Sequence, residues 1–378
     1  MAAPHPDVYS RTTLADVLPS TLAVLGVPGT HDALGLPDAS RWVVLVVDGL
    51  GWNLLRSHAD AAPTLAALAG GPIAAGFPTT TATSITSIGV GAASGVHGVT
   101  GYRTYLSEAD DVLNWLSWRG ESGRDERARI VPEDVQPHET VFERAVSHGV
   151  AATTVLPGDF AGSGLTRAAL RGAEFRARIA YGDLVAHAVD AARTPGLVYT
   201  YVSELDTVGH VYGPGTAGWR YQLAAVDELV ATLRAELPTG TGLLVTADHG
   251  MVTVADDDKI DLDDRPDLLD GVQAVAGEPR CRALHVASGA EADVAARWRA
   301  ALGDRVWITT RAEAIASGLY GPSVSAETVR RIGDLVVVAR DGLALVRRST
   351  EPGMSSLVGQ HGALTDDELL VPALHTVA

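Results

Sequence analysis

Three short polar clusters, each directly behind an apolar run, carry the residue types that could do chemistry. Asp48 closes the segment WVVLVVDGLG, where one carboxylate follows a β-branched run and the glycines after it permit a tight turn. Glu204-Leu-Asp206-Thr-Val-Gly-His210 follows LVYTYV, and Asp248-His249-Gly250 follows GLLVTA. If these runs are strands of one parallel sheet, their ends share an edge. Three carboxylates (Asp48, Asp206, Asp248) and two imidazoles (His210, His249) then meet in one crevice. Such a mixture of oxygen and nitrogen donors suits divalent cations. His361, in Gly-Gln-His-Gly, is a further candidate, and the single cysteine, Cys281, excludes both a disulfide framework and a thiolate site. Taken one at a time these residues are unremarkable, since an Asp at a strand end often only caps a turn and residues four apart are ordinary helix neighbours. Their joint placement is what points to a metal centre. His5, His31, His58, His187 and His375 show no such placement.

A hydroxyl-rich stretch, Gly76-Phe-Pro-Thr-Thr-Thr-Ala-Thr-Ser-Ile-Thr-Ser, reads as a loop leading into a helix over Thr83–Val90. A hydroxyl at that helix start would meet free N–H groups and the positive end of the helix dipole, a natural seat for phosphate. Held by a cation, it would also be a nucleophile. An ordinary N-cap threonine is the competing explanation.

The elements that must position these groups alternate. Strands are expected at Trp42–Val47, Ala151–Leu156, Leu197–Val202, Gly242–Thr246 and Asp334–Ala339. Helices are expected near Glu139–His148, Asp183–Arg193 and Trp219–Leu237. Continuous rather than alternating apolarity in the strands implies cover on both faces, hence a doubly wound, mostly parallel α/β sheet sandwiched by helices, with ligands outside the carboxyl ends of the strands. Residues 255–322 break the pattern with an acidic run (Asp256 to Asp270) and weaker periodicity. They are expected to form an inserted cap over the mouth of the site, on a core made of residues 1–254 and 323–378. The acidic run lacks EF-hand spacing and reads as a solvated loop. A net charge of −17 opposes a nucleic-acid partner. No membrane-spanning run or signal-peptide pattern is visible, so the expectation is a cytoplasmic protein.

In order along the chain, VVDGLG, FPTTTATS, GVHG, ELDTVGH, TADHGM and GQHGALTDDELLVP resemble the nucleotide pyrophosphatase/phosphodiesterase branch of the alkaline phosphatase superfamily. The resemblance implies a two-metal phosphohydrolase, usually with zinc, acting on small-molecule phosphodiesters or nucleotide pyrophosphates. The family pattern Pro-Thr-x-Thr places the nucleophile on Thr81, with Thr80 as runner-up. One metal would then be held by Asp48, Thr81, Asp248 and His249, and the other by Asp206, His210 and His361. The implied chemistry is a two-step displacement through a phospho-threonine.

The sequence departs from the family at Ser84, which stands where diesterases carry an Asn that contacts phosphate. It departs again at Ala82, which replaces an aromatic that helps sandwich a base. Tyr201 matches the family's other base-clamping position. Alkaline phosphatases use a Ser nucleophile with a nearby Arg, but no Arg lies between Thr79 and Gly101, and Arg103 is the nearest. A diester is therefore favoured over a dianionic monoester. A monoesterase, a phosphonate hydrolase, a mutase-like relative and a non-catalytic metal-binding protein are the alternatives.

Overall fold

The computed structural model describes residues 8–378, so His5 lies outside the described residues. The strands of the large sheet are β1 (Arg41–Val47), β2 (Ala69–Ala74), β3 (Ala151–Pro157), β4 (Glu174–Arg178), β5 (Gly196–Val202) and β6 (Gly242–Thr246), together with a C-terminal strand, Leu370–Val377. The order across this seven-stranded sheet is β2, the C-terminal strand, β6, β1, β5, β3, β4. From β6 to β4 every pairing is parallel, whereas the C-terminal strand runs antiparallel to both of its neighbours. β1 is central: Trp42 to Val47 are all fully buried, as a strand covered on both faces requires. Helices α1 (Thr81–Val90), α2 (Glu204–Tyr212) and α3 (Ala217–Glu236) follow β2, β5 and α2, and α3 adds Trp219, Leu223 and Val230 to the main core.

A smaller lobe contains β7 (Val272–Glu278), β8 (Cys281–Val286), β9 (Val306–Thr310) and β10 (Leu335–Ala339), an antiparallel sheet in the order β7, β8, β10, β9. It has its own core, with Leu284, Trp298 and Val337 at its centre. The apolar run expected to be a strand of the large sheet, Asp334–Ala339, thus belongs here, and the lobe continues past 322. The reason is physical. Leu335 and Val337 face the small lobe's core while Val336 and Val338 face a second cluster with Phe77 and Tyr320, so β10 is buried on both sides and has the pattern of a parallel-sheet strand.

The acidic run is spent on surface ion pairs: Asp256 with Lys259, Asp258 with Arg305, Asp263 with Arg347, and Asp267 with Arg265. Among the described residues, no helix is long and apolar enough to cross a membrane.

Candidate active site

Each of the seven expected residues is delivered by a strand end or the element that follows it. The Asp48 N–H bonds to Val202 O at 2.9 Å, extending the β1–β5 ladder by one residue so that the carboxylate sits at the sheet's carboxyl edge. The next residue must be glycine: Gly49 has φ of 74°, and a Cβ there would lie 3.0 Å from the Asp206 backbone. Asp206 and His210 lie one turn apart on α2, with His210 Nε2 3.3 Å from Asp206 Oδ2. Asp248 and His249 follow β6. Asp248 Oδ1 accepts the N–H groups of Gly49 at 3.1 Å and of His249 at 3.0 Å, which leaves Oδ2 to face the site. Thr81 is the first residue of α1, two positions earlier than the expected helix start.

The side chains converge. His249 Nε2 is 3.1 Å from Thr81 Oγ1, 3.4 Å from Asp48 Oδ1 and 3.5 Å from Asp248 Oδ2. The His361 ring stacks on His249 with centroids 3.6 Å apart, and His210 is 5.1 Å from His361. All three imidazoles give their Nδ1–H to a backbone carbonyl: His210 to Gly359 O at 2.7 Å, His249 to Gly250 O at 2.9 Å, and His361 to Thr79 O at 2.9 Å. A carbonyl can only accept, so each ring turns its Nε2 to the site, as metal-ligating histidines do.

The electrostatics call for cations. Asp48 Oδ1, Asp206 Oδ1 and Asp248 Oδ2 are buried with no hydrogen-bond partner among the described residues. Burial raises the carboxyl of Asp206 to about 6 and that of Asp48 well above the usual range; the nearby carboxylates Asp206 and Asp248 push Asp48 further. Asp248 is also raised by burial. Burial lowers His249 to about 3 and His361 well below its ordinary value, so both rings are neutral. Carboxylates lacking positive charge beside imidazole nitrogens form a site that could hold metal ions. Donor atoms fall into two groups, Asp48/Asp248/His249 and Asp206/His249/His361, with all atoms of a group within 4.8 Å of one another.

Two expected contributions to the site are placed differently in the structure. Ser84 is fully buried, its hydroxyl has no partner, and it is not part of the cavity wall, although Thr81 and Ile85 of the same helix are. The insertion 255–322 contributes nothing to the lining of the cavity beside the site, whose walls come from residues between 48 and 210 and between 354 and 361. It packs behind the site instead. Arg280 and Glu368 form a fully buried ion pair at 2.7 Å, Arg282 pairs with Glu351 at 2.8 Å, and Glu351 also binds Arg103 at 2.6 Å. Arg103 is therefore engaged and does not serve the cavity. Glu278 accepts the Tyr102 N–H at 2.7 Å and presses on Gly362, where φ is 127° and a Cβ would meet Glu278 Cγ at 2.5 Å. Tyr201 lines the cavity, but its hydroxyl donates to Asp48, so it orients that carboxylate as well as forming wall.

The fold and this centre define an α/β protein with an acid–imidazole site at the carboxyl edge of a parallel sheet, of the alkaline phosphatase type. Residues 42–364 match the sequence model of the family described as Type I phosphodiesterase / nucleotide pyrophosphatase, and the chain belongs to that family. Among solved structures, murine ectonucleotide pyrophosphatase / phosphodiesterase 5 is similar, with a TM-score of 0.70 and 17% identity over 88% of this chain and 87% of that one. An inactive form of the same murine protein in complex with AMP gives a TM-score of 0.69 at 17% identity, over 88% of this chain and 87% of that one. The human counterpart gives 0.68 at 15% identity, over 89% of this chain and 87% of that one. No curated protein matches the chain in sequence.

Proposed function

We propose that the protein hydrolyses small phosphate diesters in two steps at a pair of divalent cations, with Thr81 as the nucleophile. The observation that carries this reading is the set of three buried, unpartnered carboxylate oxygens facing imidazole Nε2 atoms beside the Thr81 hydroxyl. Asp48, Asp248 and His249 with Thr81 would hold one cation, and Asp206, His210 and His361 the other. A cysteine-free set of Asp and His fits zinc. When bound, the cations supply positive charge to the attacking and leaving oxygens.

The protein's own groups do the rest. Thr81 Oγ1 forms the new P–O bond while the bond to the departing ester oxygen breaks. Water then splits the phospho-threonine, restoring Thr81 and releasing the monoester. The start of α1 turns N–H groups and dipole charge toward the phosphoryl oxygens. Tyr201 fixes the Asp48 carboxylate by donating to it, and the three backbone carbonyls fix the imidazole rings. A diester fits better than a monoester, because neither Arg nor Lys lines the cavity to meet a second negative charge. The AMP complex of the inactive murine protein supports a site shaped for a phosphoryl group bearing an ester arm.

The test is acid-quench trapping with a labelled diester, followed by mapping of the phosphorylated residue. Label on Thr81 is expected, and Thr81→Ala should lower turnover by at least about a thousandfold while keeping its metals. Thr80→Ala should be far milder. Label on another residue would overturn the assignment.

A further inference from the structure

The cavity that opens from the candidate centre has a volume of about 340 Å³ and reaches Asp48, Thr81, Asp206, His210 and His361 at one end. Most of its remaining wall is hydrocarbon, with Leu116, Leu156, Phe160, Leu165, Leu170 and Leu357, alongside the hydroxyls of Thr80, Tyr102, Ser163, Thr166, Tyr199, Tyr201 and Ser203. Among the described residues, the charged side chains it meets are the acids and imidazoles of the centre, and neither Arg nor Lys is there to meet a second phosphate. Three of the hydroxyls along it are already engaged, whereas that of Tyr199 is unpartnered among the described residues. Ser163 Oγ is bonded to Thr166 Oγ1 at 2.9 Å and caps the helix Gly164–Ala169 by accepting the Thr166 N–H, and the Tyr201 hydroxyl is taken by Asp48. A nucleobase placed there would find fewer partners than it has donors and acceptors, at a penalty for each one left unpaired. A hydrocarbon group loses nothing and gains burial.

Resting on the phosphodiesterase reading, we infer that this cavity selects diesters with an uncharged hydrocarbon arm, alkyl or aryl, over nucleotides. Leu116, Leu165 and Leu357 are the specificity-determining residues. They come from three separate segments that close over the carboxyl edge of the sheet, so the preference is built by tertiary packing and not by any one motif. The volume suits an arm of several carbons.

The test is calorimetric binding of n-alkylphosphonates with one to six carbons, and of AMP, to the metal-loaded protein. Turnover of bis(4-nitrophenyl) phosphate is measured in parallel. The dissociation constant should fall about fourfold per added methylene until the cavity is full. Hexylphosphonate should then bind at least about a hundredfold more tightly than methylphosphonate, and more tightly than AMP. Leu165 is half-buried, so Leu165→Asp, checked for an unchanged melting temperature, should cut that gain to under about tenfold. A flat series, or AMP as the tightest ligand, would overturn the hydrocarbon arm even if the diester is hydrolysed. Absence of turnover with the chain-length gain intact would instead sink the phosphodiesterase reading and leave the apolar cavity standing.

Discussion

Replacing Arg280 by Met should destabilise the protein by about 3–5 kcal/mol, a large share of the typical 5–15 kcal/mol of a folded domain. The guanidinium is fully buried. It donates from Nε to Glu368 Oε1 at 3.1 Å, from Nη2 to Glu368 Oε2 at 2.7 Å, and from Nη1 to Asp341 O and Leu343 O, both at 2.6 Å. Methionine fills much of the volume but strands a fully buried carboxylate and two carbonyls. Glu368 would keep the Ala363 N–H at 3.0 Å and the Thr365 hydroxyl at 2.6 Å, too little to hold a charge away from water. Pairing Arg280→Met with Glu368→Gln removes the charge and keeps an acceptor for Ala363, so the double variant should recover about 2 kcal/mol or more. Urea unfolding followed by tryptophan fluorescence and far-ultraviolet dichroism measures this, provided the two probes coincide for a chain with two cores. Because Ala363 lies two residues after His361, cation affinity should weaken in the single variant and return in the double. A cost below about 1 kcal/mol for Arg280→Met, or a double variant no more stable than the single, would refute this account of the ion pair.

The purified protein should bind two equivalents of zinc, and a chelator should lower its melting temperature reversibly, because three buried carboxylates lose their counter-charge; fewer than one equivalent per chain would contradict the site. Burial raises the Glu278 carboxyl from 4.5 to about 8, so its contribution to stability is full below the lower value and is lost as pH rises through the upper one. Glu278→Gln imitates the protonated acid, and the variant-minus-parent difference in melting temperature should climb between about pH 5 and pH 8; a difference independent of pH would show that Glu278 is ionised throughout. Ser84→Ala removes a buried hydroxyl that has no partner, so kcat/KM should stay within about threefold of the parent; a loss of a hundredfold would place that hydroxyl on the phosphate after all.

What could be read along the chain and what could not differ in range. Asp48, Asp206 and Asp248 each follow an apolar run that is a parallel strand in the fold, so residue type and local pattern were enough to set them at one edge. The roles of Glu278, Arg280 and Arg282 were not legible. A charge flanking a short apolar strand ordinarily means a solvated edge, and the partners that make these burials possible stand 69 to 176 residues away. For the same reason the smaller lobe looks like a cap in sequence and acts as a buttress in structure. Its β7–β8 hairpin carries Glu278, Arg280 and Arg282 into the back of the main sheet's loops, against Gly362, Glu368 and Glu351. Gly362 and Glu368 flank the turn that follows His361. A loop ligand needs such support, because His361 is brought to the centre from outside the parallel strands, its ring held by the bond to Thr79 O and by its contacts with His249 and His210. The cavity walls were equally hidden, since Leu116, Leu165 and Leu357 are indistinguishable from core leucines until packing leaves a space between them. The candidate centre is therefore written locally at the strand ends, while the groups that support it and the walls of the cavity beside it come together from distant segments.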